Sequence, residues 1–579
     1  MALTDNNNKE KIVNTTGNFG VDINLIKGLV WTSRLAGTIN NRRYESFNGP
    51  KTYDGIDYDG HSITANSFLN YNVDIQKLNI AATLGYEYNE NYSKSYVMDI
   101  GGFPDIPGLE GPANGSEYLW ADWNISGNTR WTERSESYFF RANLSYNRKY
   151  LLGFSIRRDG TSKLAKENRY SNFPAVSAGW VISDEAFMSR QHVINLLKLR
   201  TSYGMTGSIT NVSMADCYDR LSSDIYWGKP ALSVASTLGN PDLQWEKTNQ
   251  VDVGVDLALF QNRLTLIAEW YLKRTSGMMN SEPLPSSTGG YTSRKINAGT
   301  IRNSGVDLAL NFQHHFTKDW GLTAGINMNI NRSKVIDLPV DNWAYSSAYY
   351  GGGNTPRPRL KIGQSFGALE MYRALGLDER GDIIYDDVSG NGSIDAADKV
   401  IIDNLTPKFT GGLNLGVSWK NLSLFGQFSF TYGGKIYNLD EQLLRSTELG
   451  YDDVMKNKPD YILDRWTQEN QSSRYPRFVV GAHGAQNETG WNDRPSTLYL
   501  FDASFLKLNK LTLSYNLPQN WIQKLGMTSC SVYLSGENLF TLKNKKLNVP
   551  DPEAALTSGI AQKGVPSPRS FMIGLDLTF

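Results

Sequence analysis

Apolar residues occupy every second position in segment after segment of this chain, with small or polar residues between them. Phe571, Ile573, Leu575, Leu577 and Phe579 are apolar, and Gly574, Asp576 and Thr578 separate them. From Val251 to Leu259 the odd positions read Val, Val, Val, Leu, Leu, and the even ones are Asp252, Gly254, Asp256 and Ala258. Val306, Leu308, Leu310 and Phe312 alternate with Asp307, Ala309, Asn311 and Gln313, and Leu413, Leu415, Val417 and Trp419 with Asn414, Gly416 and Ser418. Side chains of a strand point alternately to opposite faces, so a period of two specifies strands with one apolar face.

A half-buried antiparallel sheet in a soluble sandwich alternates in the same way. Two features favour a membrane instead. The pattern persists along nearly the whole chain, with no helical stretch to cover a sheet face. Aromatics also recur near strand ends, at Tyr271, Trp320, Trp419, Tyr432 and Tyr515, where the girdles of a membrane barrel belong. No run approaches the roughly 18 apolar residues of a spanning helix. A barrel keeps soluble-like hydropathy because only alternate residues face lipid. The 53 Gly, 31 Tyr, 23 Phe and 14 Trp suit that architecture.

Connections sort into two classes. Short turns fall at Lys27-Gly28, Gln76-Lys77, Asn147-Arg148, Gln261-Asn262, Thr317-Lys318 and Lys420-Asn421, and between them lie long segments such as 92–132, 207–245, 333–352 and 433–499. Short periplasmic turns and long extracellular loops are the habit of outer-membrane barrels. The reading predicts an all-β, transmembrane antiparallel barrel with about 19 strands present, two of them at 354–362 and 365–377 around Gly363-Gln364. Single-chain bacterial barrels close with an even number, so a piece is expected to be missing. The start, Met-Ala-Leu-Thr-Asp-Asn-Asn-Asn, lacks the charged and apolar regions of a signal peptide. We therefore expect residues 1–579 to be one N-terminally truncated barrel without its plug, of about 22 strands when whole.

Several stretches resemble signatures of the SusC/RagA family of TonB-dependent outer-membrane transporters. Ser137-Tyr138-Phe139 through Tyr150-Leu151-Leu152 and Arg157-Arg158-Asp159-Gly160 is similar to its "SYF…KYLL…RRDGSS" region. Asn172 through Trp180 resembles "NFPSVSAGW", Asn240 through Thr248 resembles "NPDLKWEKT", and Asn297-Ala298-Gly299 through Val306 resembles "NIGSVRNKGVE". Pro407 through Gly412 resembles "NPKFTGG" and Ser535 through Phe540 "SGQNLF". The resemblance implies a cell outer membrane location, a plugged barrel energised by the TonB complex through the missing N-terminal region, and a SusD-like surface lipoprotein as partner. It implies import of glycans or peptides. The other readings are a surface binding receptor, a passive pore, or a fragment with no activity of its own.

Chemistry-bearing motifs are few. HExxH, P-loop and GxSxG patterns do not occur, and His61, His192, His314, His315 and His483 show no metal-ligand spacing, so no enzyme is expected. Asp252, Asp256, Asp307 and Asp576 are read as acids that hydrate the lumen or contact the plug, rather than as catalytic pairs. Cys217 and Cys530 make no framework, and Lys plus Arg (58) balances Asp plus Glu (58), leaving no field for nucleic acid. Asp387, Ser389, Asn391, Ser393, Asp395 and Asp398 place oxygens at positions 1, 3, 5, 7, 9 and 12 of a calcium loop, with Gly392 at the sharp turn. Position 12 is Asp rather than Glu, and the other reading is an Asx-rich turn. The family pattern "DxNGDGxID…D" supports calcium there. Trp120, Trp123, Trp227, Trp343, Tyr349 and Tyr350 in the long loops are candidates to stack on substrate, with packing inside the loops as the alternative.

The alternation assigns Val255 to lipid and Asp256 to the lumen. Val255→Arg should cost about 2–4 kcal/mol near the midplane, and Asp256→Asn far less. Urea titration of the membrane-inserted protein checks this.

Overall fold

A computed structural model describes residues 6–48, 52–101, 129–226, 229–340, 343–344, 355–403, 405–445, 460–478, 491–523, 526–555, 559–561 and 566–579. Its largest sheet has 17 strands. In chain order they are β1 Asn6–Ile26, β2 Leu29–Asn48, β3 Thr52–Ile75, β4 Leu78–Gly101, β5 Thr129–Tyr146, β6 Tyr150–Thr161, β7 Tyr170–Val181 and β8 Ile194–Ser208. Next come β9 Glu246–Leu259, β10 Leu264–Ser276, β11 Thr300–His315, β12 Trp320–Asp337 and β13 Phe409–Trp419. β14 Leu422–Tyr432, β15 Phe505–Asn516, β16 Ser529–Lys543 and β17 Ser570–Thr578 complete the sheet. Among the described residues no helix is long and apolar enough to cross a membrane.

The chain divides into two compact units. The first comprises Met1–Trp180, Arg200–Val251 and Thr275–Ala298, and the second Val181–Leu199, Asp252–Arg274 and Gly299–Phe579. In the first, β1 to β7 pair antiparallel in chain order. The register puts Ile23, Trp31, Leu69, Leu84, Phe140 and Ile156 in one row across six strands. On the other face Asn70, Thr83, Arg141 and Ser155 form a polar row. In the second unit the row Leu322, Val417, Leu424, Leu513, Leu534 and Ile573 crosses β12 to β17. Its opposite face carries Gly321, Ser418, Ser423, Ser514, Tyr533 and Gly574. The apolar rows stand exposed, Leu84 at 58% and Ile573 at 77%. No water-soluble sheet leaves such continuous apolar rows uncovered. Lipid is the solvent that makes them favourable.

The turns follow from backbone sterics. Gly28, Gln76, Asn147, Arg148, Gln261, Asn262 and Lys420 all have positive φ, the condition for tight hairpins whose twist matches their strands. Trp320 and Trp419 stack at 5.9 Å beside the turns that begin β12 and end β13, as girdle residues should. Tyr271 departs from that expectation. It is buried, with its hydroxyl on Asn331 at 3.1 Å, on the polar side with Asn329. The neighbouring Trp270 is the exposed one.

Two expected spans are corrected. The described residues of the expected spans 354–362 and 365–377 do not join the large sheet. Arg357–Leu360 and Ala368–Tyr372 instead lie in a four-stranded sheet with Trp343–Ala344 and Lys399–Ile402. Strands of 4 and 5 residues are half of the roughly 9–11 that a tilted span needs. In the other direction, β3 and β4 run 24 residues each. They extend through segments expected to be loops.

Candidate functional site

The described residues pack a hydrophobic core not between sheet faces but within the long connections. In the second unit, the connections following β12, β14 and β16 share one core built on Leu369, Met371, Tyr385, Tyr437, Trp491, Tyr499 and Ile560. Apolar side chains on one strand face have lipid to meet, so these buried ones must be satisfied by each other. Their polar atoms are paired as burial demands: Trp491 Nε1 donates to Ile383 O at 2.9 Å, and Tyr385 Oη donates to Trp491 O at 2.8 Å. Asp382 is likewise buried but bidentate to Arg477 at 2.7 and 2.8 Å, and it accepts from Asn492 at 3.0 Å.

The loop from Asp387 to Asp398 sits beside this core. Asp387 Oδ1 accepts from the backbone N–H of Gly390 at 2.8 Å, and Oδ2 from that of Gly392 at 2.9 Å. Gly392 holds φ +78°, the sharp turn the spacing requires. Asn391 Oδ1 accepts from Ser393 N, and Asn391 Nδ2 donates to Asp395. Asp398 is fully buried and accepts from Asp395 N at 2.8 Å and Ser389 N at 2.9 Å. These two backbone donors, Asp395 first, hold its carboxyl below the usual aspartate range. The loop thus closes on its own N–H groups. Among the described residues no three acidic, His or Cys side chains converge closely enough to hold a metal.

Of the aromatic candidates, Trp120, Trp123, Trp227, Tyr349 and Tyr350 lie outside the described residues. Trp343 is described in its backbone, which pairs with Leu360. Trp491 belongs to the loop core, and the ring of Trp466 lies where a Cβ on Gly381 would stand, so glycine leaves room for it. Packing therefore accounts for those two. Asp256 lies 3.9 Å from Lys198, and Asp307 accepts from Asn329, so these acids join polar pairs. His314 packs edge-on against Phe316 at 4.8 Å beside a short turn, an interfacial arrangement.

In the first unit three of the resembling motifs interlock. Leu243 is fully buried with Leu164, Val212, Cys217 and Met279. Trp245 packs edge-on against Phe173 at 5.5 Å and donates to Arg169 O at 3.0 Å. Asn297 clamps the turn: its Nδ2 donates to Gln244 O and Gly277 O at 2.9 Å, and its Oδ1 accepts from Gln244 N at 2.8 Å. Asn240 reaches Lys295 O at 2.8 Å, and Lys295 pairs with Asp216 at 2.9 Å. Sequence reading missed this Asp216–Lys295 pair, because nothing local marks two residues so far apart as partners.

Residues 2–539 match the family model described as TonB dependent receptor-like, beta-barrel. TonB-dependent receptor P3 of Formosa agariphila is 27% identical over 551 residues, covering 89% of this chain and 52% of that protein. TonB-dependent receptor SusC of Bacteroides thetaiotaomicron is 29% identical over 459 residues, covering 76% of this chain and 43% of that one. The solved structure of the RagAB peptide transporter superposes with a TM-score of 0.83 at 26% identity, over 99% of this chain and 62% of that one. The chain spans about half the length of the curated relatives it matches.

The interlocked turn yields a stability test. Asn297→Ala removes the partner of the exposed Gln244 amide and carbonyl and of Gly277 O, and should cost about 0.5–1.5 kcal/mol. Hydrogen exchange of residues 240–248 should quicken while exchange in β2 stays unchanged.

Proposed function

The chain belongs to the family of TonB-dependent receptor-like β-barrels, and from that premise we propose that it is the barrel of a nutrient importer of SusC/RagA type. Its place in the outer membrane follows from the family. The observation that carries the proposal is the superposition on the RagAB peptide transporter across nearly all of this chain. The exposed apolar rows agree with it. Peptides or glycans are the proposed substrates, a SusD-like surface lipoprotein the proposed partner, and the TonB complex the proposed source of energy. Family members are transporters and receptors, and no catalytic role is proposed for any residue.

Trp120, Trp123, Trp227, Trp343, Tyr349 and Tyr350 are proposed as substrate contacts, each worth roughly 0.5–1.5 kcal/mol in stacking beyond its buried area. Disrupting the gene in its native host should stop uptake of fluorescent oligopeptides or oligosaccharides, as should dissipating the proton-motive force. Uptake that survives dissipation would instead mark a passive pore.

Weak calcium binding is proposed for the loop from Asp387 to Asp398. The oxygen spacing supports it, and with the Asp387 and Asp398 carboxylates engaged by backbone donors the affinity belongs at the weak end, roughly 10⁻⁴–10⁻³ M. Calorimetry should show a calcium heat that Asp387→Ala abolishes. No heat at several times that concentration would leave a turn held by its own backbone.

A further inference from the structure

A cavity of about 860 Å³ opens on the sheet surface formed by β1 to β4. Its floor is a pair of glycines, Gly17 on β1 and Gly37 on β2, directly opposite one another in register. Phe19 and Leu35 wall it on one side, and Ile39 and Ile63 on the other. Residues two apart on a strand, and register partners across strands, share a face. Phe19 is therefore on the side of Ile23, and Leu35 on that of Trp31, the same face as the exposed apolar row. The cavity is a notch in the lipid-facing surface.

The two glycines have no backbone reason to be glycine. Neither has positive φ, and a Cβ at Gly17 would meet no atom within 4 Å. At Gly37 the nearest would be Ser62 O at 3.8 Å. Glycine weakens a strand interior, and where sterics do not require it, it commonly marks close approach of a ligand or another backbone. Here two of them, side by side, leave open space that ordinary side chains would fill without strain.

The far end of the notch changes character. His61 stacks on Tyr92 at 4.9 Å, and Arg130 lies over the Tyr92 ring at 5.7 Å. Lys94 is the register partner of both Arg130 and Asp59. At the end of the strands away from the short turns, Lys94, Arg130 and Arg134 thus gather around two acids, Asp59 and Glu90, and Glu90 pairs with Arg134 at 2.7 Å and with His61 at 3.6 Å. An apolar trough that starts on the lipid face and ends in a cluster where cations outnumber acids fits an amphiphile with an anionic head.

We propose that the notch over Gly17 and Gly37 is a binding site for an acyl chain of a phosphorylated outer-leaflet lipid, with its phosphate toward Arg130 and Lys94. The chain continues the apolar surface and fills the space the glycines leave. The proposal rests on the assignment of this face to lipid.

The test uses the full chain in vesicles of phosphatidylethanolamine and lipid A carrying a trace of diazirine-labelled acyl chain. Photolysis followed by peptide mapping should concentrate adducts at 15–19, 35–39 and 61–63. The double variant Gly17→Leu/Gly37→Leu should lose those adducts and keep the others, whereas Ala142→Leu, on the same face outside the notch, should lose none. Labelling spread evenly along the band, or unchanged in the double variant, would overturn the proposal. So would a dimer, formed without notch adducts, that the double variant dissolves, because a second copy would then be the occupant. Enrichment in the unsubstituted protein needs no variant, so a variant that fails to insert leaves the test standing. Absence of adducts anywhere on the apolar rows would instead contradict the lipid-facing assignment.

Discussion

Every backbone N–H and C=O in the hydrocarbon region of a bilayer must find a partner within the protein, and the rest of this structure depends on that requirement. An unsatisfied group costs several kcal/mol there. Strands can meet the demand only by pairing along their whole length with neighbours on both sides, which is why the sequence spends so much of itself on antiparallel hairpins. Once the backbone is paired, one face of each strand is free to be apolar. The rows through Leu84 and through Leu424 run unbroken across six strands each. They are not a core in the usual sense, because the material they pack against is lipid.

A consequence is that the hydrophobic cores of this protein lie in its connections. Tyr437, Tyr499 and Leu439 are almost completely buried, yet none belongs to a strand of the large sheet. Burial in these loop bodies orders segments that would otherwise lose too much conformational entropy to hold one shape. It also fixes polar groups such as Asp382 and Asn297 where they bridge residues distant in sequence. A rigid body of this kind can present a surface for recognition in a way that a bare loop cannot.

What was legible in the sequence follows the same physics. Where a strand meets lipid on one face and polar groups on the other, alternation is obligatory, and β9, β11, β13 and β17 could be read directly. Above the membrane both faces of a strand meet water, the period of two disappears, and the segment 92–132 reads as a loop although β4 and β5 run into it. The pairing there is held instead by cross-strand contacts such as the stacking of Tyr92 on His61 at 4.9 Å. The hairpin at Gly363-Gln364 misled in the opposite way: short apolar runs flanked by Pro and Gly suit small sheets in loops as well as spans. Tyr271 shows that an aromatic near a strand end is not by itself a girdle residue, since the face it occupies decides. The twelve-residue spacing from Asp387 to Asp398 was legible, but spacing alone could not reveal that these two carboxylates already accept from the loop's own N–H groups. The aromatic candidates at 120, 123, 227, 349 and 350 lie outside the described residues.

The central claim is that the exposed apolar face of this sheet is in contact with lipid. Site-directed spin labels placed one at a time from Leu422 to Tyr432, with oxygen and a water-soluble nickel chelate as relaxation agents, measure that contact directly. Accessibility to oxygen should peak at the even positions that include Leu424, with accessibility to nickel out of phase at a period of two; the register shift opposite Phe428 lies at Asn509 of β15 and leaves the alternation of β14 intact. Accessibility to nickel that is uniformly high at all positions would mean that the face meets water, and would contradict the account.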